Sequence, residues 1–531
     1  MDFIFWHLLF VLAGIVSGTD NDCKFRQFSD TSSYVCECSA SHCDVIEEYT
    51  LDDENFVVYT SGKRGFRLDK DEMPIRNRPT PNIPDTSITI TIDRSDKYQT
   101  ILGFGGSFTD AAALNLYNLS SGMQDTLLRA YFSPDGIEYT FGRVPIASCD
   151  FSTREYSYAE IPEDFNLDYF QLAPEDTDFK CKNSYLVFLV LFQIPMIKRA
   201  SAMSYRPIKL IGSAWSAPGW MKTNGAMKGG GRLKGLPGGE YYKSWALYLA
   251  KFLEAYSNYG VPFWGLTGGN EPSAGLFPNW AWQAMFFSPS LQRDFIKLDL
   301  GPTLRERGHL DIQLTILDDQ RFLLPRWAEV VLEDPLASQY VSGIGLHWYW
   351  DDWVDPSRLN ATHHAYPDYF MIGTEACEGH LDREKEVILG SWERGEAYSF
   401  NIIEDFGNWV AGWIDWNLAL DMIGGPNWVG NFVDSPIIVN AEEDVFYKQP
   451  MYYHLGHFSK FITPGSVRVG SSADRDRLVE HLAFKLPDGN MALVVLNRKE
   501  FTFPLHVYDP DVGYLNAEIP SRSIQTYIWK S

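Results

Sequence analysis

The stretch FWGLTGGNEPSAG, Phe263 to Gly275, carries an apolar run into two glycines and then presents one carboxylate, Glu271, between an amide and a proline. Pro272 forbids regular continuation past the acid, so the stretch reads as a strand that stops and holds Glu271 rigidly at its end. Similar short apolar runs recur along the middle of the chain: TILGFGG from Thr100, TFGRVPI from Thr140, IKLIGSAW from Ile208, QLTILDDQ from Gln313, GIGLHWY from Gly343, YFMIGTE from Tyr369 and GWIDWN from Gly412. With the first, these make eight strand candidates separated by helix-compatible spacers, which predicts a (β/α)8 barrel. Functional groups of such barrels sit where strands finish. These segments finish in or run into Asp110, Asp150, Trp215, Glu271, Gln320, Tyr349, Glu375 and Trp416.

The two ends of the chain are patterned differently. SITITID, residues 87–93, alternates isoleucine with hydroxyl residues, and RLVEHLAFKLPDGNMALVVLNR reads as two strands about a Pro487-Asp488-Gly489 turn. SIQTYIWK alternates again near the C-terminus. A β-sandwich built from residues 51–98 plus 466–531 is expected to flank a barrel of residues 99–417 plus 450–465.

At 531 residues the chain can bury a large core in two to four domains. Aromatic residues make up 15% and include 17 Trp, which reads either as sugar-stacking faces or as Trp-rich packing. A net charge of −24 without a Lys/Arg run excludes a nucleic-acid partner. An acidic surface loses charge in an acidic compartment, which would let it approach an anionic membrane there.

Residues 1–18, MDFIFWHLLFVLAGIVSG, are read as a secretory signal peptide, although the n-region has Asp2 and no basic residue; a buried N-terminal helix is the rival reading. Cys23, Cys36, Cys38 and Cys43 crowd together as in a disulfide-stapled segment, and their spacing fits a zinc site poorly. Asn118-Leu-Ser and Asn360-Ala-Thr are glycosylation sequons.

Two carboxyl groups about 5 to 5.5 Å apart, one protonated and one ionised, are what retaining hydrolysis of a glycosidic bond requires. Glu271 and Glu375 close the fourth and seventh strand candidates and are chosen as that pair. Asn270 is placed to donate a hydrogen bond to a sugar 2-hydroxyl. The strings NEPSAG, SCDF from Ser148, KTNGA from Lys222, LDDQR from Leu317, LHWY from Leu346, TEAC from Thr374, DWNLAL from Asp415, GGPNWV and NFVDSPI together resemble glycoside hydrolase family 30, in its glucosylceramide-cleaving branch. The likeness runs from the cysteine cluster to the last strand.

The resemblance implies a retaining β-glucosidase with Glu271 as acid/base and Glu375 as nucleophile, releasing glucose and ceramide. Asp150, Trp215, Asn270 and Trp416 would hold glucose, with Asn431 near the entrance. Arg143, Arg321 and Tyr349 would stand behind them, Arg143 and Tyr349 on Glu375. It also implies the pairs Cys23–Cys36 and Cys38–Cys43, a small β-domain of residues 19–50 plus 418–449, a lysosomal or secreted location, a saposin-type activator and an anionic membrane surface. No metal or nucleotide cofactor is expected, and the oligomeric state is open. His347 reads either as a catalytic base or, preferably, as a hydrogen-bonded structural histidine.

Two features depart from the family pattern. Gly268-Gly269 stand where an acid is expected just before Asn270, and a lost neighbouring charge acts against a proton donor. Residues 181–193, CKNSYLVFLVLFQ, interrupt the likeness with an apolar run too short to span a bilayer, read either as a real loop or as a retained intron ending in a translated splice acceptor. Another β-glycoside, such as a steryl glucoside or a xyloside, is the alternative substrate. A catalytically silent sugar-binding protein on the same scaffold is the alternative class.

Overall fold

The computed structural model describes residues 22–531 apart from 30, 32, 81–85, 178, 181–188, 191–192 and 382–385. The signal-peptide reading of residues 1–18 lies outside the described residues, as does most of the 181–193 insertion. What is described of the latter is an antiparallel pairing of Phe179–Lys180 with Leu189–Val190, followed by Gln193 opening a helix that runs to Met203.

All eight strand candidates form strands, and they close into one parallel barrel: β1 (Gly103–Ser107), β2 (Phe141–Pro145), β3 (Lys209–Ser213), β4 (Gly265–Thr267), β5 (Gln313–Gln320), β6 (Val341–His347), β7 (Phe370–Glu375) and β8 (Val410–Asn417). β8 pairs with β1 to complete the ring. The floor is packed rather than open, with Phe141, Ile211, Ile372 and Ile414 forming one fully buried cluster. Each such side chain contributes roughly 1.5–3 kcal/mol by leaving water. Backbones approach closely between β1 and β2, where a Cβ on Gly105 would stand 2.1 Å from the Phe141 carbonyl oxygen. Only glycine fits there.

A nine-stranded sheet interleaves the strands Asn55–Gly62, Gly65–Pro74 and Ile88–Thr100 with six strands between Val467 and Trp529. Ile88, Ile90 and Ile92 all point into its core with Phe56, Leu493, Leu505 and Trp529, which is why that run alternates. A smaller five-stranded sheet joins Phe25–Arg26 and Val35–Cys38 to Leu420–Asp421, Ile437–Asn440 and Val445–Lys448. Cys23–Cys36 and Cys38–Cys43 are disulfides, with Cα–Cα distances of 5.1 and 4.3 Å. The sulfurs are consumed, which removes the zinc reading.

Candidate active site

The site is made at the carboxyl ends of the barrel strands. β4 is only three residues long because the chain turns out of the sheet at Gly269, whose φ of +130° favours glycine. The peptides that follow are caught by the neighbouring strands: Asn270 N–H donates to the Ala214 carbonyl at 2.8 Å and Glu271 N–H to the Asp318 carbonyl at 2.9 Å. Glu271 itself sits at φ +39°, a strained conformation for a side-chain-bearing residue, fixed from both sides by these bonds and by Pro272.

Across the barrel, β7 ends in Glu375. Its Oε2 accepts from Arg143 on β2, and its Oε1 accepts from the Tyr349 hydroxyl at 2.8 Å. An oxygen of Glu271, a ring nitrogen of His347 and an oxygen of Glu375 all lie within 4.8 Å of one another. The two acids that are 104 positions apart in the sequence therefore converge.

Beneath them lies a buried charge network. Arg143 donates to Glu375, to Asp318 Oδ2 at 3.1 Å and to Asn270 Oδ1 at 2.7 Å. Burial by itself would raise Asp318, but Arg143, His347 and Thr374 hold its carboxyl well below the usual range. His347 contacts Glu271 Oε1 at 3.1 Å through Nδ1 and Asp318 Oδ1 at 3.2 Å through Nε2. Burial opposes its charge, but Glu375, Asp318 and Glu271 outweigh that and push it up to about 10. An imidazolium tied at both nitrogens is a structural group and not a free base.

The cleft above this network has a volume of roughly 390 Å³. Trp215 and Trp416 stack in its wall, 5.1 Å between ring centroids, with Arg143 behind both rings. Asp150 lines it too, and its Oδ2 accepts from Asn431 at 3.0 Å and Asn427 at 3.3 Å. Burial pushes Asp150 up to about 7 against those two hydrogen bonds. At the mouth stand Phe277, Trp280, Phe322 and Trp350; Phe277 and Trp350 are more than half exposed.

Of the residues chosen from sequence, Glu271, Glu375, Asp150, Trp215, Asn270, Trp416, Asn431 and Tyr349 line this cleft, and Arg143 lies directly beneath it. Arg321 does not reach the carboxylate pair by hydrogen bond. It pairs instead with Asp351 and Glu404 and donates to the Asp351 and Val354 carbonyls, so it fastens the loop that carries Trp350 and Trp353. Asn118 is exposed at the end of a helix, whereas Asn360 is half-buried inside a helix with its amide bonded to Asn408 at 2.7 Å.

Gln320, read as a strand end, lines the cleft, whereas sequence reasoning missed Asp318, Asp319 and Asn427 as members of the site. LDDQ at a strand end carried a signal for the first two, but their separate directions come from a β-bulge. The register of β5 against β6 shifts between Leu317 and Asp319, and Leu317 and Asp318 have φ of +68° and +56°. Asp318 consequently joins Arg143 and His347 while Asp319 lines the cleft.

A (β/α)8 barrel with two facing glutamates, a buried arginine behind one of them and a tryptophan-walled cleft defines a glycoside hydrolase. The chain belongs to glycosyl hydrolase family 30: residues 101–462 match its TIM-barrel domain and residues 465–527 its beta sandwich domain. It is 49% identical to the lysosomal acid glucosylceramidase of Mus musculus over 502 residues, 94% of each chain. It is 44% identical to putative glucosylceramidase 4 of Caenorhabditis elegans, over 97% of each. Among solved structures it superposes on SrfJ from Salmonella typhimurium with a TM-score of 0.79 and 28% identity, covering 90% of this chain and all of that one.

Proposed function

We propose that this glycoside hydrolase is a retaining β-glucosidase that cleaves glucosylceramide to glucose and ceramide by double displacement. The observation that carries the mechanism is the approach of Glu271 and Glu375 oxygens to within 4.8 Å, which suits a direct attack and leaves no room for the water that an inverting pair, about 6.5–9.5 Å apart, must hold. Arg143 and Tyr349 each donate to one oxygen of Glu375 and aim its carboxylate at the anomeric carbon. Glu271 Oε1 already accepts from Gln320 Nε2 at 3.0 Å and from the His347 imidazolium, so the proton for the departing oxygen is carried on Oε2. Glu375 bonds the anomeric carbon as the C–O bond to ceramide breaks and Glu271 protonates the leaving oxygen. Glu271 then takes a proton from water, the water oxygen attacks the same carbon, and Glu375 is released.

Arg143 occupies Asn270 Oδ1, which turns the Asn270 amide N–H groups to the substrate as 2-hydroxyl donors. Asp150 accepts sugar hydroxyls, and the Trp215–Trp416 stack offers an apolar wall to the ring. The ceramide assignment rests on the names of the two glucosylceramidases above and on the aromatic mouth, where Phe277, Trp350 and Trp353 are each more than half exposed. Such a rim suits an aglycone presented from an anionic membrane surface, with a saposin-type activator. No helix among the described residues is long and apolar enough to cross a membrane. A lysosomal location by the secretory route accords with the mouse relative's name.

The test is hydrolysis of glucosylceramide vesicles, with and without anionic lipid, by wild type, Glu375→Gln and Glu271→Gln. Wild type should release glucose faster with anionic lipid, and Glu375→Gln should release none. Equal rates from all three proteins would remove the assignment.

A further inference from the structure

A proton donor needs a neighbourhood that resists its ionisation, and around Glu271 the most visible neighbour works the other way. The His347 imidazolium stands 3.1 Å from Glu271 Oε1 and stabilises a carboxylate there. The acid expected along the chain is replaced by Gly268-Gly269.

A second carboxyl reaches the same place from β5. Asp319 is almost completely buried and lines the cleft beside Glu271. Its Oδ2 accepts the Ser273 backbone N–H at 2.9 Å and its Oδ1 the Gln320 backbone N–H at 2.8 Å. The same two residues flank Glu271: Ser273 lies two positions after it, and the Gln320 side chain donates to its Oε1 at 3.0 Å. The β-bulge at Leu317–Asp319 is what turns Asp319 out of the barrel interior while Asp318 stays inside.

On the strand of Asp319, Asp318 is bonded to Arg143 and His347, and just past its end Arg321 is drawn to Asp351 and Glu404. From the end of β4 comes Glu271, from β6 His347 and from β7 Glu375. The 273–277 turn supplies Ser273, Ala274 and Phe277, none of them charged. Burial first, and then the charge of Glu271, push Asp319 up to about 6.

We propose that Asp319 is the positioning residue that keeps a proton on the Glu271–Asp319 pair for aglycone departure, the second carboxyl resisting full ionisation of the pair against the pull of the His347 imidazolium. The proposal rests on the reading of Glu271 as the acid/base. Asp319 touches no reacting atom; it acts through the pair it forms with Glu271, whose protons leave in two steps that belong to both residues. As pH rises the pair loses the proton the reaction needs, so the presence of the second carboxyl sets the upper pH limit of the reaction. Removing that carboxyl lowers the limit.

The test compares the full-length Asp319→Asn and Asp319→Ser chains with wild type across pH 4 to 8 on octyl β-glucoside, which needs a proton to leave, and 2,4-dinitrophenyl β-glucoside, which does not. Both variants should move the alkaline limb of kcat/KM on the octyl substrate down by about one pH unit. At any one pH their loss of kcat/KM on the dinitrophenyl substrate should be smaller than on the octyl substrate. An unmoved limb with equal losses on the two substrates is a structural effect and overturns the proposal.

Should neither variant fold, the titration of the Asp319 carboxyl is read by 13C NMR in wild type and Glu271→Gln. The expected result is a downward shift of about one unit in the variant, and an unchanged titration overturns the proposal. Failure of the underlying reading is distinguishable. It would show as a Glu271→Gln chain that loses both substrates equally, whereas failure of this proposal alone leaves Glu271→Gln selective for the activated substrate.

Discussion

Gln193 sits in a nest of acids, and replacing it with lysine should stabilise the protein in proportion to pH. Its side chain is 1% exposed, donates to Asp110 Oδ1 at 2.9 Å and accepts from the Tyr256 hydroxyl at 2.8 Å. Tyr256 and Tyr158 both donate to Asp176 Oδ1, and Tyr156 donates to Asp110 Oδ2 at 3.0 Å. Among the described residues neither Asp110 nor Asp176 has an ion-pair partner, and burial pushes them up to about 8 and about 6.

In the unfolded chain both carboxyls ionise near pH 4, while in the fold they keep their protons to higher pH. Stability is therefore full below that range and falls as pH rises through it. Between pH 5.5 and 7.5 Asp110 alone accounts for roughly 2–3 kcal/mol of that loss. An ammonium in place of the Gln193 amide lets Asp110 ionise in the fold and removes most of it. Thermal unfolding of Gln193→Lys should show a Tm several degrees above wild type at pH 7.5 and a smaller difference at pH 5.5. A Tm at pH 7.5 equal to or below wild type would refute the reasoning. Removing residues 181–193 joins Lys180 to Ile194 and brings a lysine to the same position, so the shortened chain should behave alike. A transcript encoding all of 181–193 would end the retained-intron reading.

Glu271→Gln should lose about 10²–10⁴-fold in kcat on an alkyl glucoside yet remain active on a dinitrophenyl glucoside, measured by steady-state kinetics at pH 5. Asn431→Ala removes the 3.0 Å hydrogen bond to Asp150, which should raise Asp150 further and increase KM several-fold with a smaller change in kcat. In wild type, the buried acids Asp110, Asp150 and Asp351, pushed up to about 8, 7 and 7, make stability fall as pH rises from about 4 through those values. Below pH 6.5 the buried His457 and His481, held down to about 3 and 4, oppose that trend, so calorimetry should place the highest Tm on the acid side of neutrality.

The barrel was readable because its strands are short apolar runs that mostly end in or run into a polar side chain, and both the run and its ending are local in sequence. Glu271 and Glu375 were readable for the same reason. What could not be read is direction. LDDQ gives no indication that a bulge sends Asp318 to Arg143 and Asp319 into the cleft. Asn427 reaches Asp150 from a loop 277 positions away, a meeting set by tertiary packing. The family resemblance placed Arg321 behind the sugar-holding groups, but as the first residue after β5 its side chain turns away to Asp351 and Glu404. The strand Gly65–Pro74 alternates weakly at the outer edge of its sheet, and so gave little pattern to read.

The most direct measurement is to inactivate the protein with a 2-deoxy-2-fluoro-β-glucosyl fluoride, which slows release of the glycosyl-enzyme, and to map the adduct by peptide mass spectrometry. A single fluoroglucosyl group on Glu375 is the predicted result. Labelling at any other residue, or turnover to α-glucose with no adduct formed, would contradict double displacement by this pair.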